Sequence, residues 1–395
     1  MSWPEVDFES LFAAPSRNGV YKSKDHHGSG VPIVNMGELF AFNRIGNQPM
    51  SLIRMSDAEM DKSGLIDGDL LFGRRSLVEE GAGKCSIVYK PAGPLTFESS
   101  IIRVRLDRAI ADPEFFFNYF RSPIGRSRIR AIVGGAAVKG IRGSDLKLIK
   151  VHVPPLDEQI AIRQVVALYD DLIATNQRRI ALLEDAARRL YREWFVHLRF
   201  PGHESVPVKD GVPEGWERGS LDRALFLQRG FDLPNGSRIA GDVPVYASTG
   251  INGFHNDAKA VGPGVVTGRS GTLGQVHYVA KDFWPLNTSL WVKEFRRVSP
   301  IVAYFLLSEL NLEQFNSGAS VPTLDRKTVH QASVLLPSPG LVEKFDTLVQ
   351  PLFDQIDALK AGIDSTSKAR NLLLPKLMSG QLDVSGIRLP EEVAA

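Results

Sequence analysis

The chain has 395 residues, 43% of them hydrophobic, and its 47 basic and 45 acidic side chains leave a formal net charge of +2. That length exceeds what one hydrophobic core usually organises, so two globular parts are expected. A single cysteine, Cys85, excludes an internal disulfide and a multi-thiolate metal site and suits a reducing compartment. The start, Met1-Ser2-Trp3-Pro4-Glu5, lacks the basic and apolar regions of a signal peptide, and the longest apolar run, 301–307, is too short to cross a bilayer. A cytoplasmic protein is the expectation.

The first 150 residues read as short strands between glycine and proline turns, at 31–34, 69–72, 86–89, 101–106 and 149–153. One helix opens at Asp112-Pro113, a capping side chain followed by proline at the first helical position. Its interior, Phe115-Phe116-Phe117-Asn118-Tyr119-Phe120, is expected in the core. From Arg121 to Lys150 the basic residues Arg121, Arg126, Arg128, Arg130, Lys139, Arg142, Lys147 and Lys150 face a single acid, Asp145, a balance suited to a polyanion.

A long helix follows Pro154-Pro155. Ile162, Val166, Tyr169, Ile173, Asn176, Ile180, Leu183, Ala187, Leu190 and Trp194 alternate at four and three residues, which is a coiled-coil seam with Asn176 fixing register. Pro201-Gly202 is expected to stop it. A second set of strands is expected at 243–246, 264–267, 275–279, 289–293 and 332–336, with a helix opening at Ser299-Pro300. A second seam then runs through Phe345, Val349, Leu352, Ile356, Leu359 and Ile363, becomes polar at Thr366 and Arg370, and resumes at Leu373 and Leu377. Pro375 predicts a kink or an early end there. A helix of some 40 residues would extend about 60 Å, too far to bury its stripe on one small domain. The two helices are expected to pair with each other, parallel or antiparallel, rather than with their own sheets or another chain.

These halves are copies. Residues 135–199 and 318–382 correspond at a constant offset of 183: Gly135-Ala136-Ala137-Val138 falls on Gly318-Ala319-Ser320-Val321, and Val151-His152-Val153-Pro154 on Val334-Leu335-Leu336-Pro337. Upstream the offset drifts, matching Asp112-Pro113 with Ser299-Pro300, Ser99-Ser100 with Thr288-Ser289, and Gly73-Arg74-Arg75-Ser76 with Gly268-Arg269-Ser270-Gly271. Two copies suit a pseudo-two-fold molecule better than a solenoid.

No phosphate loop, dinucleotide fingerprint, zinc-protease motif, nucleophile elbow or base-methyltransferase segment occurs, so no catalytic residue and no metal ligand is assigned and the chain is not expected to be an enzyme by itself. Asp25-His26-His27 reads as a surface loop. Candidate DNA contacts are Arg74, Arg75, Lys139 and Arg142 in the first copy and Arg269, Ser270, Thr272, Arg326 and Lys327 in the second, because arginine reaches guanine edges bidentately while amides, lysines and hydroxyls hold phosphates. Arg178, Arg179, Arg188 and Arg189 on the first long helix are candidates for a partner or for intervening DNA. The competing reading is a coiled-coil scaffold with two β-rich heads that bind something other than DNA.

The order of several segments resembles the specificity (S) subunit of type I restriction-modification systems, the HsdS family. Val153-Pro154-Pro155-Leu156-Asp157-Glu158-Gln159 opens the first long helix and Tyr191-Arg192-Glu193-Trp194-Phe195 closes it; Val212-Pro213-Glu214-Gly215-Trp216-Glu217 enters the second head. Residues 268–274, Gly318-Ala319-Ser320-Val321-Pro322-Thr323-Leu324 and Pro375-Lys376-Leu377-Met378-Ser379-Gly380-Gln381-Leu382 complete the likeness, which covers nearly the whole chain. It departs at Pro337-Ser338-Pro339-Gly340-Leu341-Val342-Glu343, where Pro-Leu-x-Glu-Gln is usual, and at Val138-Lys139-Gly140-Ile141, where Val-Pro-Thr-Leu is usual.

The resemblance implies an α+β protein: two similar mixed α/β target recognition domains (1–153 and 200–337) joined by two long helices (154–199 and 338–380) in an antiparallel coiled coil, with a C-terminal tail at 381–395. It implies that each domain reads half of a bipartite DNA site while the helices set the spacer and dock two modification subunits, which a restriction subunit can join. S-adenosylmethionine, ATP and Mg would belong to those partners and no cofactor to this chain.

Overall fold

A computed structural model describes residues 3–136, 138–318 and 320–384. Ala137 and Ala319 of the duplicated turns, and the expected tail beyond residue 384, lie outside the described residues. The chain divides into two units, Met1–Ala174 with Asp364–Ala395, and Thr175–Ile363. The divisions fall inside the two long helices, Leu156–Tyr191 and Pro339–Met378.

The first unit is built on a five-stranded sheet in the order Phe12–Asn18, Ile101–Leu106, Leu70–Gly73, Cys85–Val88 and Arg44–Ile45. Strand Ile101–Leu106 is antiparallel to both its neighbours. A smaller sheet places His27–Val34 between Leu52–Ile53 and Thr96–Phe97, parallel to the latter. Helix Pro113–Arg121 is capped by Asp112, whose side chain accepts from the Phe115 amide. Phe115, Phe116, Phe117, Tyr119 and Phe120 are buried as expected. Phe120 meets Phe8 and Phe72 edge to face, at 4.8 and 5.1 Å between ring centroids.

The second unit repeats the plan. Leu225–Arg229, Ser289–Phe295, Gly264–Gly268 and Val276–Val279 form its main sheet in that order. Val243–Ala247 lies between Gly250–His255 and Trp284–Pro285, again parallel to the short strand. Helix Pro300–Glu309 is capped by Ser299 as the first is by Asp112. Backbone pairing corrects one expected correspondence by a residue. The Arg74 amide donates to Ser100 O and the Arg269 amide to Thr288 O, so Ser100, not Ser99, falls on Thr288.

Within each unit the long helices run antiparallel. In the first, Asp170 meets Arg370, while Trp3, which donates to Glu158 at the start of one helix, lies against Gly380 just past the end of the other. Ile162, Val166, Leu377 and Met378 share one core. In the second, Glu184 faces Lys360 at 3.9 Å, and Tyr191, Trp194 and Phe195 surround Phe345. Ile162, Val166, Phe345, Val349 and Ile356 are buried; Tyr169, Ile173, Ile180, Leu183, Leu190, Leu352, Leu359 and Ile363 are half-buried. Asn176 is 8% exposed. It faces Gly362, where a Cβ would lie 3.9 Å from the Asn176 amide nitrogen.

Two helix boundaries differ from expectation. The first α-helix ends at Tyr191, ahead of Pro201, because a π-turn, Arg192–Val196, carries the chain onward and turns Trp194 and Phe195 into the second core. Phe195 and Phe200 there pack on Trp216, which accounts for the aromatic closing segment and the Pro-Glu-Gly-Trp entry. The second helix runs through Pro351 and past Pro375 to Met378. Each proline forfeits one backbone bond, to Thr347 and to Asn371, and both of those residues are exposed, so water can serve the freed carbonyls.

Gln159 explains the first helix opening. It is fully buried, accepts from the Asp112 amide at 2.8 Å and donates to Ile110 O and Pro154 O at 3.0 and 2.9 Å. In the second copy its counterpart is the apolar Val342, and Ser299 instead donates to Asp346 at 2.7 Å. Gln159→Leu therefore strands the buried Pro154 carbonyl and the part-buried Asp112 amide and Ile110 carbonyl, at up to about 1–3 kcal/mol each before relaxation. We predict a loss of at least about 2 kcal/mol in denaturant unfolding of the first unit. Arg128→Ala, which breaks an ion pair between partners each about two-fifths exposed, should change stability by less than about 1 kcal/mol.

Candidate nucleic-acid interface

The sequence places Arg74 and Arg75 at the end of the central strand Leu70–Gly73, and the fold carries Lys139 and Arg142 to meet them. Lys139–Gly140 pairs antiparallel with Arg75–Ser76, and the Ile141 amide donates to Arg74 O at 3.0 Å. Arg142 precedes the short helix Gly143–Lys147. All four side chains line one open cleft of about 400 Å³. None has an ion pair or a side-chain hydrogen bond among the described residues. The acid in the cleft, Asp145, accepts from the Ser144 hydroxyl at 3.0 Å. Four unpaired cations on one concave surface match the chemistry of phosphates and of acceptor-rich base edges.

The cleft is bounded by a turn that both copies build alike. Gly135 has φ +99°, and a Cβ there would come within 2.2 Å of Val138 O; at Gly318 it would come within 1.9 Å of Val321 O. Only glycine lets the backbone close this tightly.

The long basic run shrinks in three dimensions. Arg128 pairs with Glu5, Lys147 with Glu9 and Lys150 with Asp7, all from the first strand and the turn after it. Arg126 donates to the carbonyls of Glu80 and Gly83, and Arg121 lies over the Phe117 ring at 4.8 Å, where burial lowers its pKa. Its counter-charges stand far away in sequence, so a local count overstates the basic surface.

The second head is organised differently at the same place. Arg269 and Arg326 line a cleft of about 430 Å³ with Arg229, which the sequence reading had not singled out. Arg269 donates to Asn287 O at 3.0 Å, and Arg326 stacks over Phe226 at 5.4 Å. Ser270 bridges antiparallel to Thr323, which lines the cleft. Ser270, Thr272 and Lys327 do not line the cleft; Lys327 projects from helix Arg326–His330 as an exposed side chain. Behind the cleft the Leu227 amide donates to Nε2 of His330, so that ring is neutral; burial lowers its pKa in the same direction. Arg178, Arg179, Arg188 and Arg189 are exposed, and Arg189 pairs with Asp185 one turn away.

Residues 5–185 match the type I restriction modification DNA specificity domain. The MjaIX specificity subunit of Methanocaldococcus jannaschii is 24% identical over 79% of this chain and 83% of its own length. The EcoKI specificity subunit of Escherichia coli is 31% identical over 42% of this chain and 36% of its own. The crystal structure of an S subunit from M. genitalium shares the fold over 95% of this chain and 96% of that one, with a TM-score of 0.59 at 18% identity.

The chain is similar to type I specificity subunits.

Of the two clefts, the first holds the greater free positive charge among the described residues. Arg75→Ala with Arg142→Ala should weaken duplex DNA binding and reduce the slope of log affinity against log salt by about 1.8, or about 0.9 for each lost phosphate contact. Arg128→Ala, whose charge is already engaged by Glu5, should leave that slope unchanged. Fluorescence anisotropy across a salt series measures both, and equal slopes for all three proteins would remove the cleft from the interface.

Proposed function

We propose that this chain is the sequence-reading subunit of a type I restriction-modification complex. Each head reads one half of a bipartite duplex site, and the paired helices set the number of unread base pairs between the halves. The observation that carries this reading is the convergence of Arg74, Arg75, Lys139 and Arg142, unpaired, on one cleft of a specificity domain. Free cations there grip phosphates independently of sequence, and each side chain that reaches a base edge adds about 1–3 kcal/mol of discrimination. In the second head Arg229, Arg269 and Arg326 take that place, with Arg269 and Arg326 held by local contacts that fix their direction.

In this reading the chain acts in the cytoplasm and does no chemistry of its own. Its exposed helix faces dock two modification subunits, which bring S-adenosylmethionine, and a restriction subunit brings ATP and Mg-dependent cleavage. The antiparallel pairing inside each unit supports the helices as the spacer-setting part, since a paired helix bends less than a lone one.

One heptad inserted into each long helix should lengthen the spacer by about 10 Å, roughly three base pairs. Mapping methylated adenines in cells carrying the modification subunit with either version reads this directly. Unchanged half-sites at a wider spacing are expected, and an unaltered spacing would remove the helices as the ruler.

A further inference from the structure

The second unit holds a cavity of about 340 Å³ apart from the clefts described above. Tyr246, Tyr278, Tyr304 and Phe353 give it aromatic walls, with Tyr278 and Phe353 edge to face at 4.6 Å and Tyr304 and Phe353 at 6.0 Å. Its charged rim is net acidic. Glu184 is met by Lys360 at 3.9 Å, but Asp357 makes no hydrogen bond or ion pair among the described residues. Burial raises the Asp357 pKa, with Asp354 adding to it, against the pull of Lys360 and Lys281. Nε2 of His277 is also buried there without a partner. Burial, then Lys360, lowers the His277 pKa, so the ring is neutral and offers one acceptor.

The first copy shows what such a place accommodates. Phe117 and Tyr304 are both the fifth residue of their helices, counted from Pro113 and Pro300. Asp170 and Phe353 correspond at the repeat offset of 183. In the first copy the Arg121 guanidinium lies over Phe117 at 4.8 Å, and the nearby Asp170 charge favours its protonated form. The residue matching Arg121 is Ser308, whose hydroxyl turns back to Tyr304 O at 2.7 Å. The second copy thus keeps an aromatic face and has a carboxylate beside it; Arg188 reaches the Tyr304 hydroxyl at its edge, but no cation lies over the Tyr304 or Phe353 ring among the described residues.

We propose that this cavity receives an arginine side chain presented by a protein partner, with the guanidinium against Tyr304 and Phe353 and its charge toward Asp357. A guanidinium combines a flat face for the rings with several N–H donors for Asp357 and His277; an ammonium supplies only a compact charge. An anion would meet Glu184 and Asp357 and be repelled. The inference stands apart from the DNA reading, since none of these residues lines either cationic cleft.

The test titrates the full chain with N-acetyl-arginine amide by ligand-detected NMR, beside the citrulline and lysine analogues and free L-arginine. Saturable binding of the capped arginine is expected, with the citrulline analogue at least about tenfold weaker. Asp357→Asn should weaken it by a similar factor without lowering the thermal midpoint, and Tyr304→Leu should weaken it independently. No binding, equal binding of citrulline, or undiminished binding by Asp357→Asn would overturn the proposal. Binding of free L-arginine in preference to the capped form would replace the protein partner with a small metabolite and overturn it equally.

Discussion

The apolar stripes of the two long helices must be buried, and everything else in the chain is arranged around how that happens. In each unit a segment of one helix runs antiparallel to a segment of the other, and both segments close the core of the head beside them. Ile162, Val165 and Val166 join Leu377 and Met378 under the first sheet; Tyr191, Trp194 and Phe195 enclose Phe345 under the second. The first unit is discontinuous in sequence, because it takes in the end of the second long helix, while the second runs unbroken from Thr175 to Ile363 and draws its core from segments of both helices. A head therefore cannot reach its full core until both helices are in place.

Duplication kept this plan while exchanging its chemistry. At one corresponding pair of positions the first copy has Asp112 and Arg163, 3.7 Å apart, and the second has Ser299 donating to Asp346. The acid has moved from the cap to the long helix, and the joint between them survives. Gln159 gives way to Val342 and Arg121 to Ser308 by the same logic, an interaction lost in one copy and the scaffold unchanged. The cleft positions diverge further: free cations in the first cleft, and arginines tied to Asn287 O and Phe226 in the second. A scaffold tolerant of such exchange suits the proposed reading of a different half-site by each head.

Much of the architecture was legible in sequence because it rests on local signals. The proline starts, the caps at Asp112 and Ser299, and both seams follow from spacing alone, and strand Ile101–Leu106 falls where expected. Strands without alternating apolar residues escaped notice, such as Gly250–His255, five of whose six residues are exposed or glycine. The Asp170–Arg370 contact also escaped, since it needs the register between two helices about 200 residues apart. The candidate site was half legible. Arg74, Arg75, Lys139 and Arg142 could be chosen by residue type and turn, whereas Arg229 came from an unnoticed strand, and the basic run lost half its members to acids and carbonyls more than 40 residues away.

The central claim is that each head reads one half-site independently of the other. Replacing residues 200–337 with the corresponding head of a relative, and mapping methylated adenines in cells that also carry the modification subunit, tests it most directly. The account predicts that one half of the recognised sequence changes while the other half and the spacing remain. A change in both halves, or methylation at the original full site, would contradict it.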